Sequence, residues 1–179
     1  MAKCIALVMF DNNYCIGMNN NQPIHLMLDL KRFMEKTQNS VVIYGSKTLS
    51  TFPNQAPLKN RTNIILSSSN ILKERYGDLV VSDINSLVHK VEEYLRRGIN
   101  IYIIGGAMVY EELMFLVDEI HATKVDTDFL ELVPGGKPTY FPYNRLNREY
   151  YCKYITDIKD IDKLTGDGYN TQELIYMCK

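Results

Sequence analysis

The sequence predicts an α/β sandwich. A mostly parallel, eight-stranded central sheet has an antiparallel C-terminal edge and is flanked by about four helices. Three observations predict it. First, runs such as Cys4-Ile5-Ala6-Leu7-Val8-Met9-Phe10, Val41-Val42-Ile43-Tyr44 and Ile101-Tyr102-Ile103-Ile104 are continuously apolar, as strands buried on both faces must be. Second, segments of helical period separate most of these runs, the alternation that builds parallel sheets. Third, the last two apolar stretches, Tyr150 to Ile155 and Leu174 to Cys178, have no helix between them and should pair antiparallel.

The first strand ends at Asp11-Asn12-Asn13. Ile16-Gly17-Met18-Asn19-Asn20-Asn21-Gln22-Pro23 then reads as a long polar loop with neither helical nor strand period. Such a loop is either a lid over a site or ordinary surface. A helix follows, ending near Thr37. At its start Asp29 sits among Leu26, Met27, Leu28 and Leu30, with Phe33 four residues on and on the same face. If the leucines pack inward they draw the carboxylate with them, and a buried carboxylate is costly unless paired. Asp29 is therefore either a first-turn acid favoured by the helix dipole or the floor of a ligand pocket.

The second strand ends in Gly45-Ser46-Lys47-Thr48, which opens a short helix. Its N–H groups and hydroxyls suit an anion; alternatively Ser46 is simply the N-cap. Thr62 to Leu66 is a third strand ending in Ser67-Ser68-Ser69, and Leu79-Val80-Val81 a short fourth. Ile84, Leu87, Val88, Val91 and Leu95 mark the clearest helix, capped by Ser82 or Asp83 and stopped at Gly98. The strand over Ile101 to Ile104 runs into Gly105-Gly106-Ala107 and a helix from Met108 to Leu113. Ile120 to Val125 is a further strand. The Pro/Gly-rich loop Pro134 to Pro138 follows, and a polar loop from Asp157 to Asn170 is expected to join the final two strands.

The chain has 179 residues, the size of a single domain spanning 1–179. Net charge is −1 and no Lys/Arg run exceeds Arg96-Arg97, so a nucleic-acid footprint is not expected. No signal peptide is expected, because the first residues run straight into an apolar strand of about seven residues, too short for a membrane span. Cys4, Cys15, Cys152 and Cys178 form no C-x-x-C pair and read as reduced, buried thiols of a cytoplasmic protein. His25, His89 and His121 are scattered, so no metal cluster is expected. The expected state is a monomer whose partner is a small molecule.

In this fold class ligands bind at the carboxyl ends of strands. Three such ends carry small or hydroxyl residues: Gly45-Ser46-Lys47-Thr48, Ser67-Ser68 and Gly105-Gly106-Ala107. Together they suggest a long, phosphate-bearing ligand laid across the sheet. Neither G-x-x-x-x-G-K-[ST] nor G-x-G-x-x-G is present. Glycine is costly at a strand end, so the Gly105-Gly106 pair marks either a close approach of ligand to backbone or a tight turn.

The ordered series Ile16-Gly17-Met18-Asn19-Asn20, Pro23, Leu26, Asp29-Leu30 with Phe33, Val42-Ile43-Tyr44-Gly45 with Thr48, Arg61-x-Asn63-Ile64-Ile65-Leu66-Ser67, Ile103-Ile104-Gly105-Gly106-Ala107-x-Val109-Tyr110, Thr123 and Thr139-x-Phe141-Pro142 resembles the dihydrofolate reductase family over essentially the whole chain. The resemblance implies NADPH-dependent reduction of 7,8-dihydrofolate. Asp29 would be the catalytic carboxylate holding the pterin, with Thr123 hydrogen-bonded to it. Leu7, Val8, Leu30, Phe33, Phe52, Leu58 and Ile104 would wall the folate site, with Tyr110 beside them. Arg61 would clamp the α-carboxylate of the glutamate tail. Met9, Ile16, Gly17, Gly45, Ser46, Lys47, Thr48, Ser67, Ser68, Gly105, Gly106, Ala107, Met108, Val109 and Tyr110 would contact NADPH, and a cis peptide would join the two glycines. Apolar walls should raise the pKa of Asp29. The chain departs from the family at Pro23-Ile24, where Pro-Trp is usual, and at Met9, Ser46, Ala107 and Pro138. A same-fold reductase of another pterin or a pyrimidine, and a non-catalytic nucleotide-binding module, are the alternatives.

Overall fold

Residues 1–179 are described by a computed structural model. The apolar runs lie side by side as β1 (Cys4–Phe10), β3 (Val41–Gly45), β4 (Thr62–Leu66), β5 (Val80–Val81), β6 (Ile101–Ile103) and β7 (Glu119–Val125). These six are parallel, and β10 (Gly168–Cys178) and β9 (Tyr150–Ile161) complete the sheet antiparallel, in the order β5-β4-β3-β6-β1-β7-β10-β9. Side chains alternate along β1, so its two faces build separate cores. Cys4, Ala6, Val8 and Phe10 join a 23-residue cluster. Ile5 enters a seven-residue cluster on the other face, against which Leu7 packs.

The expected flanking helices are α1 (Met27–Thr37), α2 (Ser46–Thr51), α4 (Ile84–Arg96) and α5 (Ala107–Leu113). Shorter helices α3 (Asn70–Tyr76), α6 (Phe129–Leu132) and α7 (Tyr143–Glu149) add to them. Asp83 caps α4 by accepting the Ser86 N–H, and Leu87 and Val91 form its buried stripe. By contrast α1 starts after Leu26, which has no capping side chain. Its first turn is satisfied from across the fold: the buried Asp160 carboxylate of β9 accepts from the N–H groups of Leu28 (2.9 and 3.1 Å) and Asp29 (3.1 Å).

Three expectations need correction. The polar stretch after Asn13 is not all loop: β2 (Cys15–Met18) pairs antiparallel with β8 (Pro138–Tyr140), Gly17 facing Thr139. The ladder depends on a partner more than a hundred residues away, which local periodicity cannot reveal. It is extended by Asn19, whose N–H donates to Lys137 O while its Oδ1 accepts from Lys137 N (both 2.9 Å). The buried carboxylate of Asp11 secures the base by accepting from Asn13, Cys15 and Phe129 N–H, each at 2.8 Å. A Cβ on Gly17 would sit 2.9 Å from Asn21 O, so this turn excludes a side chain.

The second correction concerns the C-terminal hairpin. Its strands pair from Tyr150↔Cys178 to Ile161↔Gly168, so most of the expected loop is strand. Ladder hydrogen bonds, not apolar burial, extend it: most of β9 is exposed and polar residues are tolerated there. Asp162 closes the turn by accepting from Leu164 and Thr165 N–H at 2.8 Å, and reaches back to His25 N–H at 2.5 Å. Third, all four cysteines are free, but only Cys4 and Cys15 are buried; Cys152 and Cys178 lie exposed near the sheet edge. No helix is long and apolar enough to cross a membrane.

Candidate active site

Asp29 is the third residue of α1. The flanking leucines do not carry it inward together: Leu26 is buried, Leu28 is exposed and Leu30 is half-buried. Directed bonds hold it instead. Its backbone N–H is tied to Asp160, and Thr123 on β7 donates its hydroxyl to Asp29 Oδ1 at 2.5 Å. Burial pushes the Asp29 carboxyl above its ordinary value. The Thr123 bond and the positive charges of Arg32 and Lys36 oppose that rise, while the neighbouring Asp160 charge adds to it.

The expected walls only partly converge. Leu7, Phe52, Leu58 and Ile104 pack together against the smaller core on one face of the sheet. Leu30 and Phe33 lie half-buried on α1. Val8 points to the opposite face and packs within the larger core. Tyr110 is buried in that core and donates its hydroxyl to Leu7 O at 2.5 Å, an anchor for β1. Arg61 is fixed by three donations: Nε to Thr37 Oγ1 (3.1 Å), Nη2 to Met34 O (3.2 Å) and Nη1 to Lys59 O (2.7 Å). Its guanidinium is thereby held at the C-terminal end of α1.

The three marked strand ends belong to β4, β3 and β6, which are neighbours in the sheet and run in the same direction. Ser67, Gly45 and Gly105 therefore form a row. The N–H of Gly45 donates to Gly105 O at 2.9 Å, closing β3 against β6. A cis peptide joins Gly105 and Gly106. Gly105 has φ +108° and an added Cβ would meet the Tyr110 ring at 3.2 Å, so only glycine fits. A Cβ on Gly106 would lie 3.6 Å from Thr48 Oγ1, which brings α2 to the same place. Gly45, not Ser46, is the N-cap of α2. Ser46, Lys47, Ser68 and Met108 are exposed, Ile16, Thr48, Ser67 and Ala107 half-buried. Val109 is buried beneath this row, beside Gly45, whereas Met9 is buried in a separate cluster with Cys15, Met18 and Ile24.

The family model described as dihydrofolate reductase matches residues 3–171. The chain belongs to the dihydrofolate reductase family. It is 32% identical over 142 residues to the dihydrofolate reductase of Buchnera aphidicola, covering 78% of this chain and 79% of that one. It is 28% identical over 123 residues to the Staphylococcus aureus enzyme, covering 69% and 71%. The solved dihydrofolate reductase of Enterococcus faecalis, complexed with NADP(H) and RAB-propyl, superposes with a TM-score of 0.79 at 25% identity, over 99% of this chain and 96% of that one.

Against other dihydrofolate reductases the departure at Ile24 has a clear structural consequence. Ile24 is only 3% exposed and packs with Met9, Cys15, Met18, Leu26, Val125 and Phe129. It fills apolar space but brings no N–H donor toward Asp29. Three charged residues carry no local sequence signal of their role: Asp11, Asp160 and Glu173. Arg32 and Lys36 share the Asp29 face of α1 by spacing, which could have singled them out. Asp160 and Glu173 are brought in by the hairpin alone.

Proposed function

We propose that this chain reduces 7,8-dihydrofolate to tetrahydrofolate with NADPH, with Asp29 holding the pteridine and Arg61 the glutamate tail. The observation that carries the reading is the Asp29–Thr123 pair, set beside one apolar wall and on the sheet whose three adjacent strand ends are lined with glycine and hydroxyl groups. A carboxylate oxygen accepts more than one hydrogen bond. Asp29 can therefore keep Thr123 while accepting the 2-amino and N3 hydrogens of a pteridine. Its raised pKa places its charge under the control of the site rather than of bulk solvent.

The residues fit NADPH. Gly105 and Gly106 present backbone without side chains, Thr48 and Ser67 bring hydroxyls, and exposed Lys47 at the start of α2 offers a cation to a phosphate. When bound, NADPH supplies the hydride. The segment from Ile16 to Pro23, pinned through β2 to β8, excludes water from the reacting face. With Ile24 in place of a donor, the proton for N5 arrives by water on the Asp29 side. Arg61, already anchored by three bonds, favours a substrate with an anionic tail over a bare pterin or a pyrimidine.

We further propose that residues 1–179 act as one domain, a monomer of the cytoplasm. Support comes from β7, which pairs with N-terminal β1 and C-terminal β10 alike. The sheet edge β9 carries Lys153, Lys159 and a bulge, devices that discourage pairing with a second copy. Free cysteines suit a reducing compartment. The test is NADPH absorbance: it should fall only after dihydrofolate is added, and Asp29→Asn should slow turnover by about a hundredfold or more while NADPH still binds. Oxidation with another pterin but not dihydrofolate, or undiminished turnover in the variant, would overturn the reading.

A further inference from the structure

Behind Asp29 lies a cluster of charge that the reaction described above does not use. Glu173 on β10 is the register partner of Thr123 on β7, so its side chain leaves the sheet beside the residue that binds Asp29. Two cations of α1 converge on it: Arg32 Nε at 3.8 Å and Lys36 Nζ at 3.4 Å. Lys36 also bonds His121 Nδ1 at 2.9 Å, and His121 Nε2 meets Glu119 Oε2 at 2.9 Å. The chain of contacts ends at Lys3, paired with Glu119.

Arg32 follows Asp29 by three residues and shares its helix face. Its Nη1 is buried with no acceptor in the protein. A guanidinium does not lose its charge, so an incompletely paired one held at depth acts on the nearest carboxylates. Glu173 is the carboxylate in ion-pair range, and Asp29 stands one turn before Arg32 on the same helix.

We propose that Arg32 is a positioning residue for this reaction: it holds the Asp29 carboxylate ionised beside Thr123, and Glu173 sets how much of that positive charge Asp29 feels. The inference rests on the role of Asp29 given under Proposed function. Other groups surround Asp29: Lys36 on α1, Thr123 on β7, Asp160 on β9 and Tyr110 on α5 act on it directly, while His121 on β7 and Glu173 on β10 meet Lys36. Arg32 and Lys36 are the two permanent cations among them. Arg32 is one helical turn from Asp29 and Lys36 two, so Arg32 dominates.

The two halves of the cluster predict opposite shifts. Arg32→Met removes a neighbouring cation and should raise the Asp29 midpoint by about one pH unit. Glu173→Gln removes the competing carboxylate and should lower it. Arg32→Lys keeps the charge and should restore a near wild-type midpoint. The measurement is carbon-13 NMR titration of aspartate-labelled, ligand-free protein, with the Asp29 signal assigned by its absence in Asp29→Asn. The pH profile of NADPH oxidation with dihydrofolate is recorded in parallel and should move by the same amount. Shifts of the same sign in Arg32→Met and Glu173→Gln, or no shift in either, overturn the proposal. Should Arg32→Met fail to fold, Glu173→Gln and Arg32→Lys decide alone: no fall in the first, or a displaced midpoint in the second, overturns it. Opposite NMR shifts in a protein that does not turn over dihydrofolate would uphold Arg32 and refute the substrate.

Discussion

Asp160→Asn is the sharpest probe of how the fold holds the site, because one side chain of β9 substitutes for the missing cap of α1. Asp160 is 2% exposed, and its carboxylate accepts from Leu28 N–H, Asp29 N–H and its own neighbour Ile161 N–H (2.8 Å). An amide keeps one acceptor oxygen and turns the other toward these donors as an NH2. The loss is then a helix cap, about 1 kcal/mol, plus one buried N–H left unpaired, about 1–3 kcal/mol. Together that is about 2–4 kcal/mol. For a chain of this length each kcal/mol moves Tm by about 2–4 °C, so a fall of roughly 4–16 °C is expected. The assay is urea and thermal unfolding followed by circular dichroism, with Asp157→Asn as control. Asp157 is exposed and accepts from Gln172, and its loss should cost less than about 0.5 kcal/mol. Removing the Asp160 charge should also lower the Asp29 midpoint, since that charge helps to raise it. A variant within about 0.5 kcal/mol of wild type would refute the argument that β9 caps α1.

Three further outcomes are expected. Asp29→Asn should stabilise the ligand-free fold at neutral pH while impairing turnover. Burial raises the folded pKa above the unfolded 3.8, so the ionised acid is a penalty that is absent below pH 3.8, grows through the folded pKa and is full above it. The stability difference from wild type, followed by Tm, should grow with pH in that sense, by about 1.4 kcal/mol per unit of displacement; a gap independent of pH refutes it. Burial acts to raise Asp162, but N–H bonds from His25, Thr165 and Leu164 outweigh it and hold its pKa below 3.8. Its stabilisation is present above pH 3.8 and lost as pH falls through the folded pKa, so Asp162→Ala should cost stability at neutral pH and little in acid, as thermal scans across that range would show. Arg61→Lys loses a planar fork anchored at three points, so KM for dihydrofolate should rise about tenfold or more with kcat nearly unchanged, and steady-state kinetics checks this.

Much of the fold was legible because burial on both faces leaves unbroken apolar runs, as in β1, β3 and β6. α4 was legible from its stripe and its Asp83 cap. What escaped was structure held by pairing instead of burial. β2 is four residues in a polar stretch, and the outer half of the β9–β10 ribbon is exposed and charged. Neither carries a period that distinguishes it from a loop. The site divides the same way. Asp29, Arg61 and the Gly105-Gly106 pair stand in recognisable local order, whereas the packing of Val8 in the larger core, on the face opposite Leu7, is not legible, since a continuous apolar run says nothing about which side each residue takes.

The unread half of the hairpin is also what positions Asp29. Asp160 lies near the end of β9, within the stretch expected to be loop, and Glu173 reaches Thr123 through the β10–β7 register. Had residues 157–170 been an irregular loop, α1 would start without the carboxylate that accepts from its first-turn N–H groups. The long ribbon at the sheet edge, not the leucines around Asp29, therefore fixes where that carboxylate sits and which charges it meets. Shortening the ribbon should disturb Asp29 before it disturbs the parallel core.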